Sequence, residues 1–182
     1  KYLDLFVNEP REFVPESRDY ACFYVAIDPN GCGESSDIAI VSHVRYHGLA
    51  VIIGMESFPS KSATENHDLI LAHVNSIRSD SRFKNSMAVF ILESNLGLES
   101  EHISIMLRDN MSNYLVLNER DDGRHTGFRT THGMKAVAVE NVRERILDRS
   151  LRIAQDDHMV AVGKSPQAMV KLLFEQMEYF AE

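Results

Sequence analysis

Two acidic residues each stand directly behind a run of apolar residues, a placement that suits them to chemistry. Asp28 follows the run 21–27, and Glu93 follows the run 87–92. If the two runs form neighbouring parallel strands, their carboxyl ends meet at one edge of a sheet and the two carboxylates converge. Such oxygens are the ligands of hard cations, and Mg²⁺ takes only one or two of them from a protein. The pair therefore predicts a divalent metal site.

Each of these acids also has an ordinary structural explanation. Asp28 precedes a proline, which is a common turn signal, and Glu93 precedes a Ser-Asn pair that is compatible with a helix cap. Asp37 opens the next apolar run, and glycines in between let the backbone turn tightly, so we expect Asp37 to face Asp28 across the turn, either as a further metal ligand or as a carboxylate that supports the ligands. A surface aspartate at the start of a strand explains Asp37 equally well. Taken singly, each residue leaves both interpretations open.

A basic segment downstream is a candidate for contacts with DNA phosphates. It contains Arg120, Arg124, Arg129 and Lys135, interleaved with glycines and threonines. A solvated loop is the competing interpretation. The whole chain carries a net charge of −8, whereas proteins that hold a DNA backbone unaided are usually basic. Taken alone, this charge counts against DNA binding. It counts less if cations neutralise a cluster of the carboxylates and if other parts of a larger protein hold the DNA.

Hydrophobic periodicity and turn residues predict the elements that position these side chains. The runs 21–27 and 87–92 are continuously apolar, which predicts central strands buried on both faces. We further predict strands at 37–44, 49–55, 114–117 and 151–154, and helices from Ser62 or Thr64 to 79 and at 99–110, 135–148 and 166–180. Short links make the first three strands an antiparallel meander. The order predicts an α/β fold, with a ribonuclease H-like mixed β-sheet and helices on both faces.

Bulk properties narrow the class of protein. The 182 residues predict one domain over 21–182, with 1–20 as a linker or lead-in segment. No apolar run is long enough to span a bilayer, and the absence of an initial Met suggests an excised fragment. The two cysteines lack the spacing of a zinc site and favour a reducing compartment. Neither a Walker-type phosphate loop nor a Ser-His-Asp signature is found.

Taken together, these residues resemble the nuclease domain of the large terminase subunits of herpesviruses and tailed phages. The stretch 25–41 resembles the first catalytic strand and hairpin of that family. The stretch 89–97 resembles its second catalytic strand, in which an acid is followed two residues later by an asparagine, here Asn95. Downstream, a Gly-x-x-Thr segment at 127–130, a helix, a short strand and a final helix resemble the later half of the family. The resemblance runs from about residue 21 to the end of the chain.

This resemblance implies an endonuclease that cuts concatemeric viral double-stranded DNA during genome packaging. It implies two Mg²⁺ or Mn²⁺ ions held by three acids, of which Asp28 and Glu93 match the first two. The third acid of the family lies in an Asp-Asp-Leu-like pattern that does not occur before Glu182. We therefore expect either a truncated chain or a substitute acid such as Glu175 or Glu178.

The resemblance also implies the partners and the location of the protein. The implied partners are double-stranded DNA, other terminase subunits and the portal, with no membrane. The implied location is the host nucleus for a herpesvirus-like protein, and otherwise the host cytoplasm.

Two other interpretations stay open. One is a different ribonuclease H-like nuclease, such as a junction resolvase or an exonuclease, that uses the same acids on another substrate. The other is a non-catalytic interaction domain on the same fold, which the negative net charge and the unmatched third acid favour mildly.

Overall fold

A computed structural model of the chain describes residues 20–29, 37–94, 99–119, 126–154, 159–160 and 162–179. These residues form a six-stranded sheet with the order β5-β4-β1-β2-β3-β6. The strands are β1 (Cys22–Asp28), β2 (Asp37–Tyr46), β3 (Leu49–Pro59), β4 (Met87–Leu92), β5 (Tyr114–Leu117) and β6 (Leu151–Ile153). The described helices are α1 (Ala63–Ser79), α2 (Glu99–Asn110), α3 (His132–Leu147) and α4 (Pro166–Tyr179).

The first three strands form the antiparallel meander that the short links predicted. β1 pairs antiparallel with β2, and β2 pairs antiparallel with β3. The turn between β2 and β3 places His47 at φ 46° and Gly48 at φ 84°, the left-handed backbone that a tight two-residue hairpin uses. The remaining strands join in parallel, β4 beside β1, β5 beside β4 and β6 beside β3.

The two central strands, β1 and β4, differ in how completely they are buried. In β4, both faces carry buried side chains, as predicted. In β1, only the alternate residues Phe23, Val25 and Ile27 are buried, while the face that carries Asp28 is only partly covered. The prediction of burial on both faces is therefore wrong for β1. A continuous apolar run does not distinguish a strand with two packed faces from one that lies beside a partly open site.

Helices cover both faces of the sheet, as the order of elements predicted. α1 buries Ile70, Val74 and Ile77 against one face. Its N-cap is Ser62, which forms a capping box with Glu65, so the alternative start at Thr64 is wrong. On the other face, α3 and α4 border a cavity whose wall includes Val41 of β2. None of the described helices combines the length and apolarity needed to cross a membrane.

The start of α3 differs from the prediction by one turn. The sequence predicted a helix from Lys135, but the helix begins at His132, because the Thr131 side chain accepts a hydrogen bond of 3.3 Å from the backbone N–H of Met134. A glycine in the first turn, at position 133, weakens the sequence signal for a helix. The earlier start places Lys135 just inside the helix and facing the end of β4.

A buried polar network ties α1 to β2, β3 and the segment before α4. The hydroxyl of Ser42 lies 2.8 Å from Nε2 of His73, and Nδ1 of His73 lies 3.8 Å from Oε1 of Glu56. Glu56 also accepts hydrogen bonds from the backbone N–H groups of Val162 and Gly163. Ser42 and His73 are fully buried, so no substrate reaches them, and the arrangement serves the fold.

Candidate metal centre

The sheet register places Asp28 and Glu93 next to each other. β1 and β4 are parallel, with Ile27 paired to Leu92, so the next pair along the ladder is Asp28 and Glu93. The backbone N–H of Glu93 continues the ladder with a 3.0 Å hydrogen bond to the carbonyl of Ile27. Paired residues of neighbouring strands project to the same face. The predicted convergence at one edge of the sheet is therefore present.

The carboxyl group of Asp28 is one of the neighbours that lower the pKa of Glu93. Two carboxyl groups can share a hydrogen bond only when one of them holds a proton, because both are acceptors when ionised. When both are ionised they repel, and a divalent cation between them relieves that repulsion. Asp28 is partly buried, and the side chain of Glu93 is 18% exposed. The pair can therefore be reached from solvent.

Two side chains from the segment after β5 hold Glu93. The hydroxyl of Thr130 donates a hydrogen bond to Oε1 of Glu93, and Nζ of Lys135 lies 3.4 Å from the same oxygen. Partial burial on its own raises the pKa of Glu93, but Thr130, Asp28 and Lys135 more than offset this and hold the pKa below its ordinary value. Glu93 is thus kept ionised, which is the form that binds a cation.

A tight backbone approach brings Thr130 and Lys135 to this place. Phe128 forms a bridge beside Glu93, with hydrogen bonds of 2.7 Å from its N–H to the carbonyl of Leu92 and 2.8 Å from the Ser94 N–H to its own carbonyl. Gly127 has φ +89°, and a Cβ atom there would lie 2.4 Å from the carbonyl oxygen of Leu92. Only glycine fits this position. The segment continues the sheet where β5 ends and presents Thr130 to the acid.

Asp37 lies at the same edge of the sheet but is not directly opposite Asp28. The register pairs Asp28 with Ala39, so Asp37 lies two residues further along β2. Its carboxylate accepts a hydrogen bond of 2.8 Å from the hydroxyl of Ser57. The part of the chain that the structure describes contains no group of three or more His, Cys, Asp or Glu arranged to hold a metal ion. The metal-binding role of Asp37 stays a prediction.

The basic candidates are distributed unevenly around the acid pair. Lys135 contacts Glu93 directly. Arg129 is exposed, and its backbone N–H donates to the carboxylate of Glu119 at 3.3 Å. Arg120 and Arg124 lie outside the described residues. The DNA-binding role of all four stays a prediction.

The substitute third acids are not tested either. Glu175 is exposed on α4 and forms an ion pair of 3.7 Å with Lys171. The side chain of Glu178 lies outside what the structure describes, as does Asn95.

Sequence reasoning missed the role of Thr130. Its position in a Gly-x-x-Thr segment was recognised, but the contact with Glu93 depends on the close approach of Gly127 to the end of β4. The signal in the sequence is a glycine three residues before a threonine, and it does not indicate which strand the segment will approach.

The donor set suits a hard divalent cation. Two carboxylates converge, one is held ionised, and both lie at a solvent-accessible edge. Carboxylate oxygens are the ligands that Mg²⁺ and Mn²⁺ prefer, and one or two protein carboxylates with water are a usual Mg²⁺ site. Asp28 and Glu93 therefore fit one such ion.

Comparison with solved structures shows the fold of the chain. It superposes on the human cytomegalovirus terminase nuclease domain in a Mn-soaked form with a TM-score of 0.71, at 15% sequence identity, over 98% of this chain and 82% of that one. A Mn-soaked, inhibitor-bound form of the same domain gives a TM-score of 0.69 at 15% identity, over 100% of this chain and 86% of that one. These domains have the ribonuclease H-like fold, so the predicted fold is confirmed.

A more distant likeness is to the large terminase of a thermophilic bacteriophage. The TM-score is 0.50 at 10% identity, over 81% of this chain and 31% of the phage protein. The chain thus corresponds to about a third of that longer protein. No protein-family model and no curated protein sequence matches the chain.

Proposed function

We propose that this chain is a metal-dependent endonuclease domain that cuts viral double-stranded DNA during genome packaging. One observation carries the proposal: Asp28 ends β1 and Glu93 directly follows β4, so the two acids lie side by side at adjacent ends of two parallel strands. The likeness in fold to the human cytomegalovirus terminase nuclease domain, whose structures include Mn-soaked forms, supports it. On that analogy the chain acts with other packaging subunits and the portal, in the host nucleus if its source is herpesvirus-like.

The residues of the site divide into those that bind a cation and those that arrange them. Asp28 and Glu93 would hold the divalent ion, and Asp37 at the same edge would extend the site toward a second one. A bound ion would polarise a phosphate oxygen and lower the pKa of a water molecule. Thr130 fixes the orientation of Glu93 by donating to Oε1.

The ammonium group of Lys135 could contact either Glu93 or a DNA phosphate. Its ammonium group lies 3.4 Å from Glu93, and its side chain is 57% exposed. A cation bound at Glu93 repels the ammonium group, which can then turn toward the phosphate of a DNA strand. Arg129, together with Arg120 and Arg124, would contact the flanking phosphates. In this proposal the basic segment positions the DNA, and Lys135 is the basic residue nearest to the phosphate that is cut.

The deciding experiment pairs metal binding with cleavage. Mn²⁺ is titrated into the 182-residue chain and into the Asp28→Asn and Glu93→Gln variants, and bound Mn²⁺ is followed by electron paramagnetic resonance. Cleavage is measured on linear duplex DNA, branched DNA and an RNA–DNA hybrid. We expect Mn²⁺ binding and duplex cleavage in the parent chain and loss of both in each variant, with circular dichroism unchanged. Undiminished cleavage by both the Asp28→Asn and the Glu93→Gln variants would contradict the proposal.

A second candidate, a non-catalytic interaction domain, is favoured by one observation. The described residues bring together two acids rather than three. The same experiment separates the candidates. Mn²⁺ binding with no cleavage of any substrate favours the interaction domain, whereas preferential cutting of branched DNA or the hybrid favours a resolvase or another nuclease of this fold.

A further inference from the structure

A cavity of about 630 Å³ opens at the opposite end of the sheet from Asp28 and Glu93. It lies beside the β2–β3 turn at His47 and Gly48, whereas Asp28 lies at the far end of the β1–β2 pairing. Its walls come from the β2–β3 hairpin, β6, α3 and α4. The cavity therefore belongs to a different part of the molecule from the candidate metal centre.

The lining of this cavity combines an apolar floor with a basic rim. The floor is made of aliphatic and thioether side chains, namely Val41, Ile52, Val142, Leu151, Ile153, Leu173 and Met177. The polar groups include His43, Arg45, His47 and Arg145, and within the described residues no Asp or Glu lines the cavity. A single-sign basic lining is notable in a chain whose net charge is −8, because a random selection of its charged residues would be mostly acidic.

The two arginines are available to a ligand. Both are exposed, and across the described parts of the chain neither forms an ion pair with a carboxylate. Arg45 lies 5.9 Å from the centre of the Tyr24 ring. Arg145 lies 3.4 Å from the hydroxyl of Ser150, and its charge also acts on the exposed carboxylate of Asp148. Burial lowers the pKa of His43, and the positive charges of Arg45 and Arg145 lower it further. The positive charges of both guanidinium groups therefore act on His43, in the lining of this cavity.

Apolar surface continues out of the cavity along α3. Val142 lines the cavity and is 41% exposed, and Val139, one turn earlier on the same face of the helix, is also exposed. A contiguous apolar patch with a polar rim is typical of a protein-interaction surface. Because the patch extends beyond the cavity, an elongated ligand can cover more of it than a small molecule can.

We propose that this cavity and the adjoining surface of α3 form a docking site for an acidic amphipathic peptide segment of a partner protein. Aliphatic side chains of the segment would fill the floor, and its carboxylates would pair with Arg45 and Arg145. Arginine forms bidentate hydrogen bonds with carboxylates and is enriched where interfaces concentrate their binding energy. Duplex DNA fits less well, since a phosphate backbone offers nothing apolar to cover the floor.

The test measures binding and is independent of nuclease activity. A fluorescein-labelled helical peptide of leucine and glutamate is titrated with the 182-residue chain, and fluorescence anisotropy reports the Kd. A peptide with lysine in place of glutamate, a labelled DNA duplex and the small amphiphile decanoate, used as a competitor, complete the set. We expect the acidic peptide to bind, the lysine peptide and the duplex to bind at least about tenfold more weakly, and the affinity to fall as salt rises.

Charge reversals locate the site. Arg45→Glu and Arg145→Glu are each expected to weaken the acidic peptide about tenfold, because each replaces an attraction by a repulsion. Arg108→Glu makes the same change on α2, away from the cavity and from α3, and should alter the Kd by less than about twofold. All three arginines are exposed, so the fold tolerates the changes.

Four results would overturn the proposal. They are equal binding of the lysine peptide, equal loss with Arg108→Glu, stronger binding of the duplex through Arg45 and Arg145, and decanoate binding in the cavity when the peptide does not bind. A nuclear magnetic resonance titration of His43 gives an independent check. A bound carboxylate should move the pKa of His43 upward, opposite to the effect of the two arginines.

Discussion

Glu56 and Glu93 are two acids of one sheet whose pKa values both lie below the ordinary value, yet their surroundings differ in kind. The side chain of Glu56 is 4% exposed, and that of Glu93 is 18% exposed. Burial raises the pKa of Glu56, but the neighbouring His73 and the backbone N–H groups of Val162 and Gly163 more than offset it. The partners of Glu93 are Thr130, Asp28 and Lys135.

The two glutamates differ in whether their hydrogen-bonding and charged partners can be exchanged. Backbone N–H groups are fixed by the chain, so Glu56 loses them only if the segment before α4 detaches. The ammonium group of Lys135 is at the end of a flexible, largely exposed side chain, and it can exchange for another cation at little cost. A low pKa therefore identifies a structural acid in one place and a candidate metal ligand in the other. The partners, rather than the shift, separate the two.

The most direct test of this difference between Glu56 and Glu93 is to neutralise Glu93. Glu93→Gln keeps the shape of the side chain but removes the charge, so metal-dependent cleavage should fall about 100-fold or more. The unfolding free energy should change by about 1 kcal/mol or less, because Glu93 is partly exposed. A cleavage assay and urea denaturation measure these two quantities, and Mn²⁺ binding is followed alongside them. Glu101→Gln, an exposed glutamate on α2, serves as the control, and an equal effect of the two substitutions would contradict the assignment.

The contact that presents Thr130 to Glu93 can be tested through Gly127. Gly127→Ala forces an alanine to φ +89° and drives its Cβ against the carbonyl of Leu92, so a loss of about 2–4 kcal/mol in unfolding free energy is expected. Mn²⁺ affinity should fall as well, because Thr130, which orients Glu93, moves with the segment.

Gly48→Ala is the matched control for this prediction. Gly48 has a similar φ of +84°, but nothing lies within 4 Å of the added Cβ, so only the backbone strain of about 1 kcal/mol applies. Equal losses for the two variants in urea denaturation would show that the close approach to β4 carries no weight.

Neutralising Glu56 should give the reciprocal pattern, with stability lost and metal binding kept. Glu56→Gln replaces a buried carboxylate that accepts two backbone hydrogen bonds, so a loss of about 1.5–3 kcal/mol in unfolding free energy is expected. Because folding lowers this pKa, the stability is present above the ordinary value of 4.5 and is lost as the pH falls through the lower, folded value.

Urea denaturation of Glu56→Gln over a pH series checks both statements. The difference from the parent chain should shrink in acid. A Mn²⁺ affinity that falls together with the stability would remove the distinction between the two glutamates.

Much of the sheet could be predicted because its signals are local. The strand 87–92 is an apolar run closed by Glu93, and the predicted bounds of β4 and β5 are those of the structure. The meeting of Asp28 and Glu93 also follows from local signals, since two strand ends and one parallel pairing place them together. By contrast, the register at Asp37 depends on the length of the turn, which places Asp37 two residues beyond the partner of Asp28, and the role of Asp37 stays a prediction.

The Glu56 network could not be predicted, because it depends on partners that are distant in the chain. His73 falls on the apolar face of α1, where periodicity treats it as one more core residue. Its partner Ser42 lies where the pairing of β2 with β3 shifts register. No sequence pattern indicates this irregularity. Hydrophobic periodicity shows which residues are buried but not which buried polar groups meet.

The smallest expected effect concerns the exchangeable cation at Glu93. Lys135→Met removes one of the groups that lower the pKa of Glu93, so this pKa should rise and the acid limb of Mn²⁺ binding should move to higher pH. At neutral pH the competing ammonium group is gone, and Mn²⁺ affinity should increase about twofold to fivefold, as expected for an exposed ion pair.

Lys171→Met provides the control, since it breaks another lysine–glutamate pair, with Glu175, far along the chain on α4. Its Mn²⁺ affinity should equal that of the parent chain. If Lys135→Met instead weakens Mn²⁺ binding, Lys135 orders the site rather than competing for it. Glu93 would then resemble Glu56, an acid held by a partner that it cannot exchange.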